Sequence, residues 1–254
     1  MSQMLLKYQA VCDIGNVREN NEDMAYVAGK LLRDGSSDGE IEVAEDCVAF
    51  AVADGMGGYS GGEVASEIVC RSFGAFVKTH PLIETLSELK EWAVGANRLV
   101  LDTASLREDL AEMGSTFVAL LFTSDKIYLI NVGDSRCYRI RDGVLKQISV
   151  DHSERERTGN PDVPSNLIYN FMGNDPLEFI SDITDLKPIA GDTYLLCSDG
   201  LSDLISDDAI EANYTDPHRL LALAKAAGAR DNITALTIRL TSRPDLVPFP
   251  LEHW

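Results

Sequence analysis

Asp54 closes an apolar run at residues 47–53 and leads straight into Gly55-Met56-Gly57-Gly58. Asp199 does the same after Tyr194-Leu195-Leu196-Cys197, ahead of Gly200. Asp134 lies in Asn131-Val-Gly-Asp-Ser between two apolar stretches, and Asp231 opens the last one. Glu22 and Asp23 stand side by side just after the first. A carboxylate at the mouth of a buried strand is costly unless it is paired or binds a cation. Oxygen donors with no Cys or His cluster beside them suit a hard divalent ion, Mg²⁺ or Mn²⁺. A glycine after the strand-end acid lets a backbone carbonyl come close to such an ion. Each Asp-Gly pair taken alone is ordinary turn chemistry. Recurrence of the pattern at strand ends along the whole chain points instead to a shared metal centre.

Such residues need a scaffold that brings distant segments together. Strands are expected at residues 7–13, 24–28, 30–33 and 47–53, with a polar turn at 34–40. A helix is expected at 63–77, where Val64, Ile68, Val69, Phe73, Phe76 and Val77 recur at helical spacing, and another at 86–101 around Leu89, Trp92, Ala96 and Val100. Strands follow at 115–123, 126–132 and 135–141, and Asp142-Gly143 is a hairpin signal. Residues 151–166 offer one clearly apolar side chain, Val163, and predict a mobile surface loop. Strands at 179–186 and 193–197, helices at 201–214 and 217–228, and a closing strand at 232–240 complete the reading. This order is not a repeating βα pattern, so antiparallel sheets packed together with helices outside are favoured over a parallel nucleotide-binding sheet.

The 254 residues are 45% apolar and 25% charged, an ordinary globular composition. With 41 acidic against 22 basic side chains, the net charge of −19 repels nucleic-acid phosphates and anionic membrane surfaces. The run Phe117–Phe122 is far shorter than the roughly 20 residues of a membrane span, and the first residues lack the pattern of a secretory signal. Cys12, Cys47, Cys70, Cys137 and Cys197 form no CxxC pair and read as free buried thiols of a reducing cytosol. A cytoplasmic monomer with neither nucleic-acid nor membrane partners is expected.

Taken in order, six segments resemble the metal-dependent protein phosphatases of PP2C type in their compact bacterial form. They are Gly15-Asn-Val-Arg-Glu-Asn-Asn-Glu-Asp23, Val52-Ala-Asp-Gly-Met-Gly-Gly58, Met113-Gly-Ser-Thr116, Val132-Gly-Asp-Ser-Arg136, Leu196-Cys-Ser-Asp-Gly-Leu201 and Arg230-Asp-Asn-Ile-Thr234. The resemblance implies an α+β fold, a four-layer α-β-β-α sandwich of two antiparallel sheets flanked by helices. It implies one phosphatase domain over residues 1–242 and a tail at 243–254, in which Phe249, Leu251 and Trp254 are expected to pack back on the body. By position Asp54 matches a carboxylate bridging two Mn²⁺ or Mg²⁺ ions, and Gly55 contributes its carbonyl. Glu22, Asp23, Asp199 and Asp231 match the other acidic positions, and Asp134 with Asp199 matches a weaker third metal. Arg18 matches the arginine that grips substrate phosphate; its plainer reading is an ion pair with Glu19 or Glu22.

The implied reaction is hydrolysis of phosphoserine and phosphothreonine in proteins by a metal-activated water, opposing a serine/threonine kinase. Two rivals stay open: a phosphatase dedicated to one regulatory phosphoprotein, such as an anti-anti-sigma factor, and a catalytically silent binding module. Met56 stands where eukaryotic members often carry His, so no general acid is visible there. The flap region, about 151–176, is shorter than in bacterial relatives. Within it His152 reads as a hydrogen-bonding anchor of its loop rather than a catalytic group.

Overall fold

The apolar runs that begin the chain form strands, and the computed structural model describes residues 4–57, 61–83, 85–164 and 166–242. The first strands are β1 (Met4–Asp13), β2 (Met24–Val27), β3 (Lys30–Leu32), β4 (Gly35–Val43), β5 (Val48–Ala53) and the short β6 (Gly55–Met56). Two long helices follow, α1 (Gly61–Thr79) and α2 (Leu86–Ala104). Next come β7 (Gly114–Ser115), β8 (Phe117–Phe122), β9 (Ile127–Val132), β10 (Arg136–Arg141) and β11 (Val144–Gln147). The one-turn helix α3 (Glu154–Thr158) precedes β12 (Asp182–Leu186) and β13 (Thr193–Cys197). Helices α4 (Asp199–Ser202), α5 (Asp207–Asn213) and α6 (Pro217–Ala226) lead to the last strand, β14 (Ile233–Ser242).

Two antiparallel sheets result, one ordered β11-β10-β13-β14-β1-β4 and the other β12-β9-β8-β5-β2-β3. Alternation along the strands explains the layers. In β8, Val118, Leu120 and Phe122 face the other sheet, while Phe117, Ala119 and Leu121 face α1 and α2. In β14, Leu236, Ile238 and Leu240 face the inter-sheet core, and Ile233 and Ala235 meet α4–α6. Strands covered on both faces read as unbroken apolar runs. The arrangement is the four-layer α-β-β-α sandwich.

Phe73 of α1 is fully buried, its ring 4.9 Å from Trp92, 5.1 Å from Phe117 and 5.8 Å from Tyr26. Phe73→Ala is expected to cost about 3–5 kcal/mol through lost burial and the cavity left behind, read as a lower urea midpoint with an unchanged slope.

Several expectations need correction. Of the polar stretch expected as a turn at 34–40, Asp34 does lie in a bend, but 35–40 is strand: β4 pairs with β1 from Met4↔Val43 to Cys12↔Gly35. It lies at a sheet edge, where one flank and one face remain in water, so no apolar alternation is demanded of it. Residues 151–166 are exposed over much of their length, as expected, but are not loop throughout: the Ser153 hydroxyl caps α3 by accepting the Glu156 N–H, so local hydrogen bonding supplies at 154–158 the order that apolar pattern could not. The helix expected at 201–214 is split into α4 and α5, and the strand expected from 179 begins at Asp182. Asp142-Gly143 does close the β10–β11 hairpin, with Arg141 opposite Val144. All five cysteines are free and buried. No helix among the described residues is long and apolar enough to cross a membrane. Gly58 and the tail at 243–254 lie outside the described residues.

Candidate active site

Strand ends deliver the acidic residues to one cleft. Arg18, Glu22, Asp54, Gly55, Asp134, Asp199 and Asp231 all line it, in a volume of about 390 Å³. Asp54 follows β5, Asp199 follows β13 and Asp231 precedes β14, whereas Asp134 sits in the β9–β10 connection. Asn20, Met56, Thr116, Asn166 and Ile168 complete much of the wall.

Asp54 is held by its own backbone. Its carbonyl accepts the Thr116 N–H at 2.8 Å and the Ser115 hydroxyl at 3.1 Å. Its N–H donates to Thr116 Oγ1 at 3.0 Å. These bonds are the structural work of the Met113–Thr116 motif. Gly55 is fixed by close approach: a Cβ there would lie 2.0 Å from the Gly62 carbonyl oxygen and 2.7 Å from that of Glu22. Its N–H donates to the same Glu22 carbonyl at 3.2 Å.

His152 braces the residue before Asp134. The Gly133 N–H donates to His152 Nδ1 at 3.1 Å, and the His152 N–H returns a bond to the Gly133 carbonyl at 3.0 Å. Asn170 Nδ2 also reaches Nδ1 at 2.6 Å. Nδ1 is therefore an acceptor and Nε2 carries the proton, 3.1 Å from Asp182 Oδ2. The ring anchors its loop, as expected.

Asp23 is the exception among the acids, because it lies beneath the cleft rather than on its wall. It is fully buried, and its Oδ2 accepts the hydroxyls of Ser198 and Thr234, both at 2.7 Å. Its Oδ1 has no hydrogen-bond partner. Arg18 meets neither Glu19 nor Glu22 in an ion pair; its Nη2 lies 2.7 Å from Asp231 Oδ2.

The electrostatics follow from this crowding. Burial is the largest cause raising the pKa of Asp54, followed by the charges of Asp23, Asp199 and Asp134. Burial likewise raises Asp134, Asp23 and Asp199. Asp54 and Asp199 are close enough for one to donate a hydrogen bond to the other. Like-charged groups forced together hold protons or cations.

No group of three or more His, Cys, Asp or Glu side chains among the described residues is arranged to hold a metal ion as it stands. The donor set nonetheless fits hard ions that keep much of their water, since Mg²⁺-type sites use one or two carboxylates per ion. A buried carboxylate oxygen without a partner is the further sign that a charge is wanted there.

A family profile described as protein phosphatase 2C matches residues 24–235. The chain belongs to the protein phosphatase 2C family. The match begins just past the loop that bears Arg18, Glu22 and Asp23. Among relatives of this phosphatase 2C chain, the serine/threonine protein phosphatase PstP of Mycobacterium tuberculosis is 34% identical over 92% of the chain. The chain spans 45% of the length of that protein. The serine/threonine phosphatase stp of Listeria monocytogenes is 29% identical, over 89% of the chain and 92% of its own length. The catalytic domain of PstP solved in complex with two manganese ions superposes with a TM-score of 0.79 at 32% identity, covering 94% of this chain and all of that one.

Supporting residues escaped the sequence reading. Ser198 and Thr234 lie inside quoted motifs, and their hydroxyls beside an expected buried acid were the available signal. Asp203, at the end of α4, adds repulsion at Asp134 and Asp199; nothing in its own spacing announces it.

Proposed function

We propose that this chain is a metal-dependent serine/threonine protein phosphatase that hydrolyses phosphoserine and phosphothreonine in other proteins. The observation that carries the reading is the convergence of five carboxylates on one cleft, over a buried sixth with an unpartnered oxygen. Asp54, Asp199, Asp231 and the Gly55 carbonyl would hold two Mn²⁺ or Mg²⁺ ions, with Glu22 and Asp23 engaged directly or through water. Asp134 with Asp199 would hold a weaker third ion. Such ions, when bound, neutralise phosphoryl oxygens and lower the pKa of coordinated water toward neutrality.

The chain's own groups supply the positioning. The bonds from Ser115 and Thr116 fix the backbone of Asp54, so that its carboxylate stays aimed into the cleft. Arg18 is the one cation among the described residues that line the cleft. Its planar fork can bind two phosphoryl oxygens at once. The Met56 thioether has no proton to give, so the leaving alkoxide takes its proton from water. The physiological partners would be phosphoproteins, with a cognate kinase working in the opposite direction, in the cytoplasm.

Phosphate release from a phosphothreonine peptide in Mn²⁺ tests this reading; no release above the uncatalysed rate would overturn it. Arg18→Lys keeps the charge and loses the fork. It is expected to raise KM about tenfold with a smaller change in kcat, measured by steady-state kinetics on the same peptide.

A further inference from the structure

Residues 14–23 contain no helix or strand, yet they carry Arg18, Glu22 and Asp23. One buried side chain spans the base of this loop. The Asn232 amide, 3% exposed, donates from Nδ2 to the carbonyls of Ile14 and Asn20, each at 3.0 Å. Its Oδ1 accepts the Glu22 N–H at 2.8 Å. An asparagine amide offers two N–H donors and one carbonyl, and both kinds are spent on this loop. The span between the two carbonyl contacts is the excursion that bears Arg18, so it is pinched at its base. The third contact fixes the residue whose carboxylate lines the cleft wall.

Asn232 is itself held rigidly. Its N–H donates to Asp231 Oδ1 at 2.9 Å. Its carbonyl oxygen would lie 1.9 Å from a Cβ on Gly200, so the backbone here presses on the residue after Asp199. One residue thereby joins these segments: its side chain holds the segment of Arg18 and Glu22, and its backbone bonds to Asp231 and packs against the residue after Asp199.

We propose that Asn232 is a positioning residue that sets the phosphate-gripping Arg18 and the carboxylate of Glu22 against the acidic cluster. This rests on the reading of the cleft as a phosphatase centre. Asn232 does not line the cleft, so it acts through the loop and not on the substrate. The loop is also gripped independently of Asn232: Arg33 Nη1 donates to the Asn21 carbonyl at 2.6 Å, the Asn16 N–H to the Ala229 carbonyl at 2.8 Å, and the Ser66 hydroxyl to the Glu22 carbonyl at 2.6 Å. An Asn232 variant therefore keeps the loop attached while losing the bonds across its base.

The test is a double-mutant cycle between Asn232→Ala and Arg18→Ala, read as KM for a phosphothreonine peptide, with calorimetric titration of Mn²⁺ into each protein. Asn232→Ala alone is expected to raise KM about tenfold and to weaken Mn²⁺ binding several-fold. In the Arg18→Ala background it is expected to change KM less than about twofold, because the group it places is gone. Equal effects of Asn232→Ala in both backgrounds, or a lowered melting temperature with KM and Mn²⁺ affinity unchanged, would overturn the proposal. Should Asn232→Ala not fold, Asn232→Ser enters the same cycle with the same criteria. A wild-type chain that neither binds Mn²⁺ nor turns over the peptide sinks the phosphatase reading itself; an active wild type with an additive cycle sinks this inference alone.

Discussion

Asp54→Asn is expected to lower phosphopeptide turnover in Mn²⁺ by a factor on the order of 10³, about 4 kcal/mol of barrier. Asp54 is hemmed in by other acids, since Asp23, Asp199 and Asp134 all push its pKa upward after burial does. Its backbone bonds to Ser115 and Thr116 do not involve the side chain. Asparagine keeps the size and one oxygen, so the strand end is not disturbed, and a mutually repelling charge is removed from a crowded site. Without metal, the variant should therefore melt no lower than the parent. Loss of turnover together with an intact melt locates the effect in the chemistry. Wild-type turnover in the variant, or loss of turnover accompanied by unfolding, would remove Asp54 from the role given to it.

Chelation is the second large effect. EDTA is expected to bring phosphate release to the uncatalysed rate, and added Mn²⁺ to restore it, because Arg18 alone cannot offset the dianion of a phosphomonoester beside five carboxylates. The same experiment has a stability arm. A ligand that binds only the folded state at 100 times its dissociation constant adds about 2.7 kcal/mol. For a chain of this size that raises the melting temperature by roughly 5–10 °C. Full activity in EDTA, or identical melts with EDTA and with Mn²⁺, would contradict a dependence on divalent ions.

How much of this was legible in the sequence depended on what left an apolar trace. The runs that became β5, β8 and β13 are buried on both faces and could be read directly, as could the helical spacing of Phe73 and Trp92. The edge strand β4 could not, because GSSDGEIEV satisfies an edge through backbone pairing with β1 and carries few apolar side chains. Capping did what burial did not at Ser153, which turns a polar segment into a helix. At the site, the acids showed themselves because charge next to a buried strand is anomalous. The difference between Asp23 and its neighbours was invisible: adjacent acids in sequence point to opposite destinations, Glu22 to the cleft and Asp23 to a buried pair of hydroxyls. The partner of Arg18 was equally hidden, since Asp231 comes beside it through the antiparallel pairing of β1 with β14, far apart in sequence.

The most direct measurement is the anomalous scattering of crystals grown in manganese. Two manganese peaks are expected in the cleft, with the Asp54 carboxylate between them and Asp199 and Asp231 facing them. A cleft without manganese at saturating concentration, with Asp54 and Asp199 turned into different regions, would contradict the claim that these acids exist to hold a metal pair.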